Sequence, residues 1–288
     1  MPSLVIKAPA KINLGLEVGP KRRDGYHDIT TIIVPLELSD LVTITTGRNG
    51  IRVTTDSTEV PDGEANLAFQ AADRFFQATG VTPSADIRIR KRIPAGAGLG
   101  GGSSDAAAVL LGLNRLYHKP LPDRKLRRIG LQVGSDVPAL LCRKPVVARG
   151  RGERLRPIRL PRLRLLLLLP GYPVSTKWAY SRLDAFRGST NTALTSPRLL
   201  PKILGRKVRN GELASAGSRV FNSFEPVVFE RHPDLGRARR LLLEHGAWAA
   251  ALSGSGSTVY GLVHRTGWQD PMAALHRHGF HCLITRSC

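Results

Sequence analysis

The chain has 288 residues, 42% of them hydrophobic and 23% charged, and its 43 Lys+Arg against 22 Asp+Glu leave a net charge of +21. That balance excludes wholesale disorder and suits one large domain or two ordinary ones. The longest apolar runs, such as residues 106–111, and runs like 165–169 fall far short of a bilayer span, and residues 1–9 lack the apolar core of a secretory signal. Cys142, Cys282 and Cys288 are too few for a disulfide scaffold and have no paired metal-site spacing, so they read as a reduced, cytoplasmic protein.

Residues 5–18 and 29–38 are β-rich runs, separated by the turn signal Asp24-Gly25. Residues 42–46 and 51–55 are short candidate strands. Residues 66–79 predict a helix. Leu67, Ala71, Ala72, Phe75 and Phe76 share a face, Asn66 can cap the start and Gly80 can stop the end. Residues 85–93 alternate around Ile87 and Ile89, as a strand does. A glycine-rich segment over residues 94–104 follows, then helices at 105–117 and 123–133 and strands at 146–148 and 163–169.

The breaker cluster Pro170-Gly-Tyr-Pro173 opens the second half. A short helix is expected at 175–185, a loop at 188–196, and helices at 197–204, 221–230 and 233–245, the last with a proline in its first turn. The end alternates: strand 248–252, turn 253–256, strand 258–263, helix 270–278, strand 281–285. No internal repeat is visible.

The charge is lopsided. Residues 1–100 hold 12 basic and 11 acidic side chains, leaving 31 and 11 for residues 101–288, a net of +20 there. The densest stretch, residues 149–164, interleaves seven arginines with apolar residues, as on a strand edge or hairpin. Scattered arginines fit a solvated surface first, and a salt-sensitive polyanion surface second. The few Tyr and Trp do not interleave with them, so a base-stacking platform is not indicated.

Residues 94–104 carry the chemistry. Pro94, Ala95, Gly96, Ala97, Gly98, Leu99, Gly100, Gly101, Gly102, Ser103 and Ser104 join a strand to a helix start. Glycines allow close backbone approach, and the free amides and dipole of a helix N-terminus favour phosphate. The segment lacks the Lys of a Walker A loop. It matches G-x-G-x-x-G, but a Rossmann reading needs an acidic residue at the end of the next strand, and Asp123 lies amid helix and loop.

Several segments together resemble one family. Residues 94–104 resemble the ATP-binding loop of the GHMP kinases, which include galactokinase, homoserine kinase and mevalonate kinase. Lys7-Ala-Pro-Ala-Lys-Ile-Asn-Leu-Gly-Leu16, Arg22-Arg-Asp-Gly-Tyr-His27, Gly134-Ser-Asp-Val-Pro138 and Leu252-Ser-Gly-Ser-Gly-Ser-Thr258 resemble, in order, landmarks of the branch acting on 4-diphosphocytidyl-2-C-methyl-D-erythritol. The combination spans residues 7–258 and is specific where each motif alone is not. After Pro138 the family usually has a glycine or a pair of them, where this chain has Cys142-Arg-Lys-Pro145, which leaves the shape of that loop open.

The resemblance implies an α/β (α+β), two-domain GHMP kinase fold. A ribosomal-protein-like N-terminal domain (residues 1–155) would hold the ATP loop, and residues 156–288 would form a C-terminal domain with an antiparallel sheet, the active site lying in the cleft. It implies transfer of the ATP γ-phosphoryl group to the 2-hydroxyl of the cytidyl substrate, in the non-mevalonate isoprenoid route. Asp136 would be the general base and Lys11 its partner, with Asn13 bonding the substrate hydroxyl or orienting Asp136. Read alone, Asp136 before Val-Pro is a helix cap and Lys11 a strand-edge lysine.

Tyr26 and His27 would read the cytidine, with Tyr180 a second ring. Asn66 and Lys91 would lie at the adenine end, and Ser103 and Ser104 at phosphate. Gly254, Ser255 and Gly256 would cover the substrate diphosphate. Mg²⁺ would accompany ATP without dedicated protein ligands. No membrane partner and no nucleic acid are expected, and the chain would be a monomer or weak homodimer. Two alternatives stay open: a GHMP kinase for another small alcohol, and a basic RNA-binding protein of related fold.

Overall fold

The structure is a computed structural model that describes residues 1–288 apart from 48, 191–205, 208–209, 218 and 265. The helix expected at 197–204 lies outside the described residues. Two compact units are present, interleaved along the chain. One comprises Met1–Lys11, Leu38–Ala95 and Gly100–Arg143, and the other Ile12–Glu37, Gly96–Leu99 and Lys144–Cys288. Strands β1 (Ser3–Lys21) and β2 (His27–Thr45) contribute residues to both units and pair with each other.

In the first unit, residues 41–45 of β2 run antiparallel to β4 (Ser84–Arg90), and β3 (Gly50–Thr55) runs parallel to β4. Ile87 and Ile89 alternate into the core as their spacing predicts. Helix α1 (Leu67–Thr79) buries Ala68, Ala71, Ala72, Phe75 and Phe76, starts on the Asn66 cap and stops at a left-handed Gly80. It packs in one apolar cluster with α2 (Gly101–Leu116), α3 (Asp123–Val133) and the short α4 (Val137–Leu141). Burying such large apolar side chains contributes roughly 1.5–3 kcal/mol each.

The main differences from the sequence expectation here lie in β2 and α2. Strand β2 continues through Ser39 and Asp40, where two separate strands are expected, because Asp40 is buried against partners from other segments. Helix α2 begins at Gly101, four residues earlier than expected. Glycine and serine read as loop by propensity, but the packing of α2 overrides it.

In the second unit, residues 29–33 of β2 pair with β5 (Val146–Gly150), and β5 with β6 (Arg154–Pro157), so the arginine-rich stretch is a hairpin. The second sheet has the order β10–β7–β9–β8, antiparallel throughout, from β7 (Arg164–Leu168), β8 (Ala249–Leu252), β9 (Val259–Val263) and β10 (Cys282–Arg286). Its core combines Leu166, Leu168, Leu252 and Val259 with α5 (Thr176–Thr190), α7 (Glu225–Arg231), α8 (Pro233–Glu244) and α9 (Gln269–Arg277). A one-turn helix, α6 (Leu213–Gly217), precedes α7. Helix α5 runs five residues beyond its expected end, and no described helix is long and apolar enough to cross a membrane.

Candidate active site

The ion pair comes first. Lys11 Nζ lies 3.3 Å from Asp136 Oδ2, with the lysine side chain 5% exposed and the aspartate 32%. Strand β1 is fully buried from Ala8 through Val18, so Lys11 enters a buried setting and needs a counter-charge. Asp136 occupies the N-cap position of α4, yet its carboxylate makes no capping hydrogen bond. It faces Lys11 instead, so Asp136 holds the cap position without a side-chain cap bond.

The exit of the glycine-rich segment belongs to the same unit. Gly100 is left-handed, and a Cβ there would sit 2.9 Å from Lys11 Cγ. The first amides of α2, at Gly101, Gly102 and Ser103, have no acceptor within the helix. Ser103 is half-buried, with its Oγ beside Gly134. Ser104 is buried and donates to the Pro9 carbonyl at 2.7 Å, so its hydroxyl serves the fold.

Lys91 and Asn66, both expected at the adenine end, have internal partners. The Lys91 ammonium is held by Asp40 at 2.5 Å and Asp105 at 2.7 Å. Burial works against its charge, but the two carboxylates outweigh burial and keep its pKa above the usual lysine value. Asn66 accepts from Ala68 N at 2.9 Å and donates to the Pro61 carbonyl at 2.7 Å.

The crown of the segment, Gly96–Leu99, belongs to the other unit, where it meets the second glycine loop. Thr258 N donates to the Ala97 carbonyl at 3.1 Å, and Ser253 Oγ to the Gly98 carbonyl at 3.0 Å. A Cβ on Gly98 would lie 2.2 Å from the Ser253 carbonyl oxygen, so only glycine fits. Asn222 supports the second loop from below, donating to the Leu252 and Gly254 carbonyls at 2.8 and 2.7 Å. Ser255 shares a 2.8 Å hydrogen bond with Thr176. Gly254 and Gly256 are both left-handed.

The Arg22-to-His27 segment forms a tight turn. Arg22 N donates to the Tyr26 carbonyl at 2.7 Å, Tyr26 N to Asp24 Oδ1 at 3.1 Å, and the Arg22 guanidinium pairs with Asp24 and Asp28. Tyr26 is 49% exposed, with the Arg151 guanidinium 3.5 Å above its ring. His27 is buried: its Nε2 lies 2.8 Å from Asp184 Oδ1, and its ring packs on Tyr180 at 4.8 Å between centroids. Tyr180, Asp184 and Arg187 share one face of α5, being four and three residues apart. Arg187 donates to the Val18 and Gly19 carbonyls, which ties α5 to β1. Asn13, also buried, donates to Thr31 Oγ1 at 3.0 Å. Asp40, Arg151 and Asp184 are the residues that sequence reasoning missed. Asp184 carried a signal in its spacing of four from Tyr180, and Arg151 a weaker one in the hairpin pattern of its stretch.

The family models decide the affiliation. The GHMP kinases N terminal domain matches residues 66–144 and the GHMP kinases C terminal model residues 199–274, together more than half of the chain. The chain belongs to the GHMP kinases. As such it transfers a phosphoryl group from ATP to an alcohol. A relative from Geobacter sp. strain M21 is 41% identical to this kinase over 264 residues, covering 91% of this chain and 90% of its own length. One from Anaeromyxobacter sp. strain Fw109-5 is 44% identical over 263 residues, covering 89% and 81%. Both are named 4-diphosphocytidyl-2-C-methyl-D-erythritol kinase. A crystal structure of 4-(cytidine 5'-diphospho)-2C-methyl-D-erythritol kinase superposes with a TM-score of 0.81 at 32% identity, over 99% of both chains. Homoserine kinase from Cytophaga hutchinsonii reaches a TM-score of 0.79 at 18% identity, covering 100% of this chain and 95% of its own, a likeness of fold alone. The kinase thus has the two-domain mixed α/β fold of its family.

Proposed function

We propose that this kinase phosphorylates the 2-hydroxyl of 4-diphosphocytidyl-2-C-methyl-D-erythritol with ATP, within the non-mevalonate route to isoprenoid precursors. The observation that carries this reading is the nearly full-length similarity, at 41% identity, to a relative of that name. The buried His27 held by Asp184 and Tyr180 supports it, because a substrate without a pyrimidine needs no such ring and edge reader.

In this reading the Asp136 carboxylate takes the proton of the attacking hydroxyl as its oxygen bonds the γ-phosphorus and ADP leaves. Lys11 holds Asp136 and neutralises charge on the transferring oxygens. Such catalysis is mostly positioning and electrostatics. A third of the Asp136 side chain remains exposed, which suits a group that must meet substrate. Residues 94–104 cradle the phosphates with the first amides of α2 and the hydroxyl of Ser103. Mg²⁺ enters with the nucleotide as part of the substrate. Tyr26 offers one ring face to the base while Arg151 covers the other. Gly254, Ser255 and Gly256 cover the substrate diphosphate.

The test is ADP release with MgATP and 4-diphosphocytidyl-2-C-methyl-D-erythritol, beside homoserine, mevalonate and galactose. Turnover of the cytidyl substrate alone is expected. Turnover of another alcohol instead would keep the family and overturn the substrate.

A further inference from the structure

One buried charge cluster is not used by the phosphoryl-transfer reading. Lys91, just beyond β4, places its ammonium between Asp40 Oδ2 of β2 and Asp105 Oδ2 of α2, at 2.5 and 2.7 Å. The three side chains are 7%, 0% and 1% exposed. Asp40 is satisfied on both oxygens, because its Oδ1 also accepts from the backbone amides of Arg92 at 2.5 Å and Ile93 at 2.8 Å. Asp105 is not: its Oδ1 is buried with no hydrogen-bond partner.

Two carboxylates on one ammonium carry one negative charge too many for a buried site. An anionic oxygen left there without a donor is costly. Two carboxylates sharing one site resist ionising together, and a proton on Asp105 removes the excess.

The cluster also brackets the glycine-rich segment. Asp40 grips the chain at Arg92 and Ile93, just before the segment, and the Lys91–Asp105 pair ties that entry to the second turn of α2. A Cβ on Gly101 would lie 3.4 Å from Lys91 Nζ, so the cluster sits directly against the first turn of α2.

We propose that Asp40, Lys91 and Asp105 form a positioning brace for the nucleotide segment, and that the brace takes up a proton at Asp105 when a nucleoside di- or triphosphate binds. This rests on reading residues 94–104 as the nucleotide site. A polyphosphate at the first turn of α2 adds negative charge beside the cluster and favours the neutral acid. By reciprocity, the proton strengthens nucleotide binding. Burial raises the Asp105 pKa to about 7, with Lys91 pulling down and Asp40 pushing up, so the exchange falls near neutrality. The ionisable groups facing Asp105 are Lys91 and Asp40. Helix α1 turns Ala68, Ala71, Ala72 and Phe75 into the shared core, β1 contributes Ala8, and Lys11 pairs with Asp136.

Calorimetric titration of the full-length protein with MgADP, in buffers of different ionisation enthalpy, counts the protons. Wild type should take up about half a proton or more between pH 7 and 8 beyond what Asp105→Asn takes up, and none beyond it near pH 5.5. The wild-type Kd should rise several-fold from pH 6 to 8.5 while that of Asp105→Asn stays flat. Equal proton counts in two proteins that both bind MgADP overturn the inference alone. No binding by wild type overturns the nucleotide-site reading and the inference with it. Should Asp105→Asn fail to fold, carboxyl ¹³C spectra of aspartate-labelled wild type decide. One resonance must titrate near neutrality and move to higher pH with MgADP, and its absence overturns the inference.

Discussion

Gly98→Ala tests whether the two glycine loops form one structure. Gly98 has φ +75°, and a Cβ there would lie 2.2 Å from the Ser253 carbonyl oxygen and 2.8 Å from that of Gly256. An L side chain in the left-handed region costs about 1–2 kcal/mol. The backbone contacts have no flexible end to yield, so the loops must also separate. That strains or breaks the hydrogen bonds from Ser253 Oγ to Gly98 and from Thr258 N to Ala97, about 0.5–1.5 kcal/mol each. The expected loss is about 2–5 kcal/mol. Gly80→Ala is the control: φ is +69° and nothing lies within 4 Å of its Cβ, so only the backbone strain remains. Urea unfolding of wild type and both variants measures the difference, and ADP release measures the KM for ATP. Gly98→Ala should lose clearly more stability than Gly80→Ala and raise the KM for ATP. Equal losses, with an unchanged KM, would refute the locked pair of loops.

Asp184→Asn removes the charged acceptor of His27 and should raise the KM for the cytidyl substrate roughly tenfold, about 1–2 kcal/mol, leaving the KM for ATP alone. Steady-state kinetics with each substrate varied checks this, and a parallel rise in both constants would contradict it. Glu225, half-buried on α7, accepts from Leu252 N at 2.9 Å, and desolvation raises its pKa from 4.5 to about 7 against the pull of that amide and of Arg239. The folded chain therefore keeps a proton that the unfolded chain releases. That stability is complete below pH 4.5 and lost as pH rises through 7. Glu225→Gln should flatten the fall of the urea midpoint between pH 5 and 8; identical slopes would count against it. If the net +20 of residues 101–288 steers the two anionic substrates, kcat/KM should fall several-fold as salt is raised from about 50 to 500 mM. A flat profile would end that idea.

Local signals made much of the fold legible. Asn66 and Gly80 bracket α1 because cap chemistry is local, and Ile87 and Ile89 mark β4 by alternation alone. The one-turn α4 and α6 leave too little pattern to read. Asp40 was illegible for the opposite reason. A lone aspartate among β-formers reads as a break, and its partners Lys91 and Asp105 lie far along the chain. In the site, the Lys11–Asp136 pair follows from the motifs, whereas the internal partners of Lys91, Asn66 and Ser104 do not, because a motif names residues and not where their side chains turn. Arg151 over Tyr26 depends on a hairpin that the arginine pattern suggested without its register.

The most direct test of the central claim is ³¹P NMR of the product formed from MgATP and 4-diphosphocytidyl-2-C-methyl-D-erythritol. Wild type should give a new phosphomonoester on the 2-hydroxyl with the diphosphate intact. Asp136→Asn should form it about 10²–10⁴ times more slowly, as expected for the loss of a general base. A phosphate at another position, or a rate unchanged in the variant, would contradict the assignment of substrate and base.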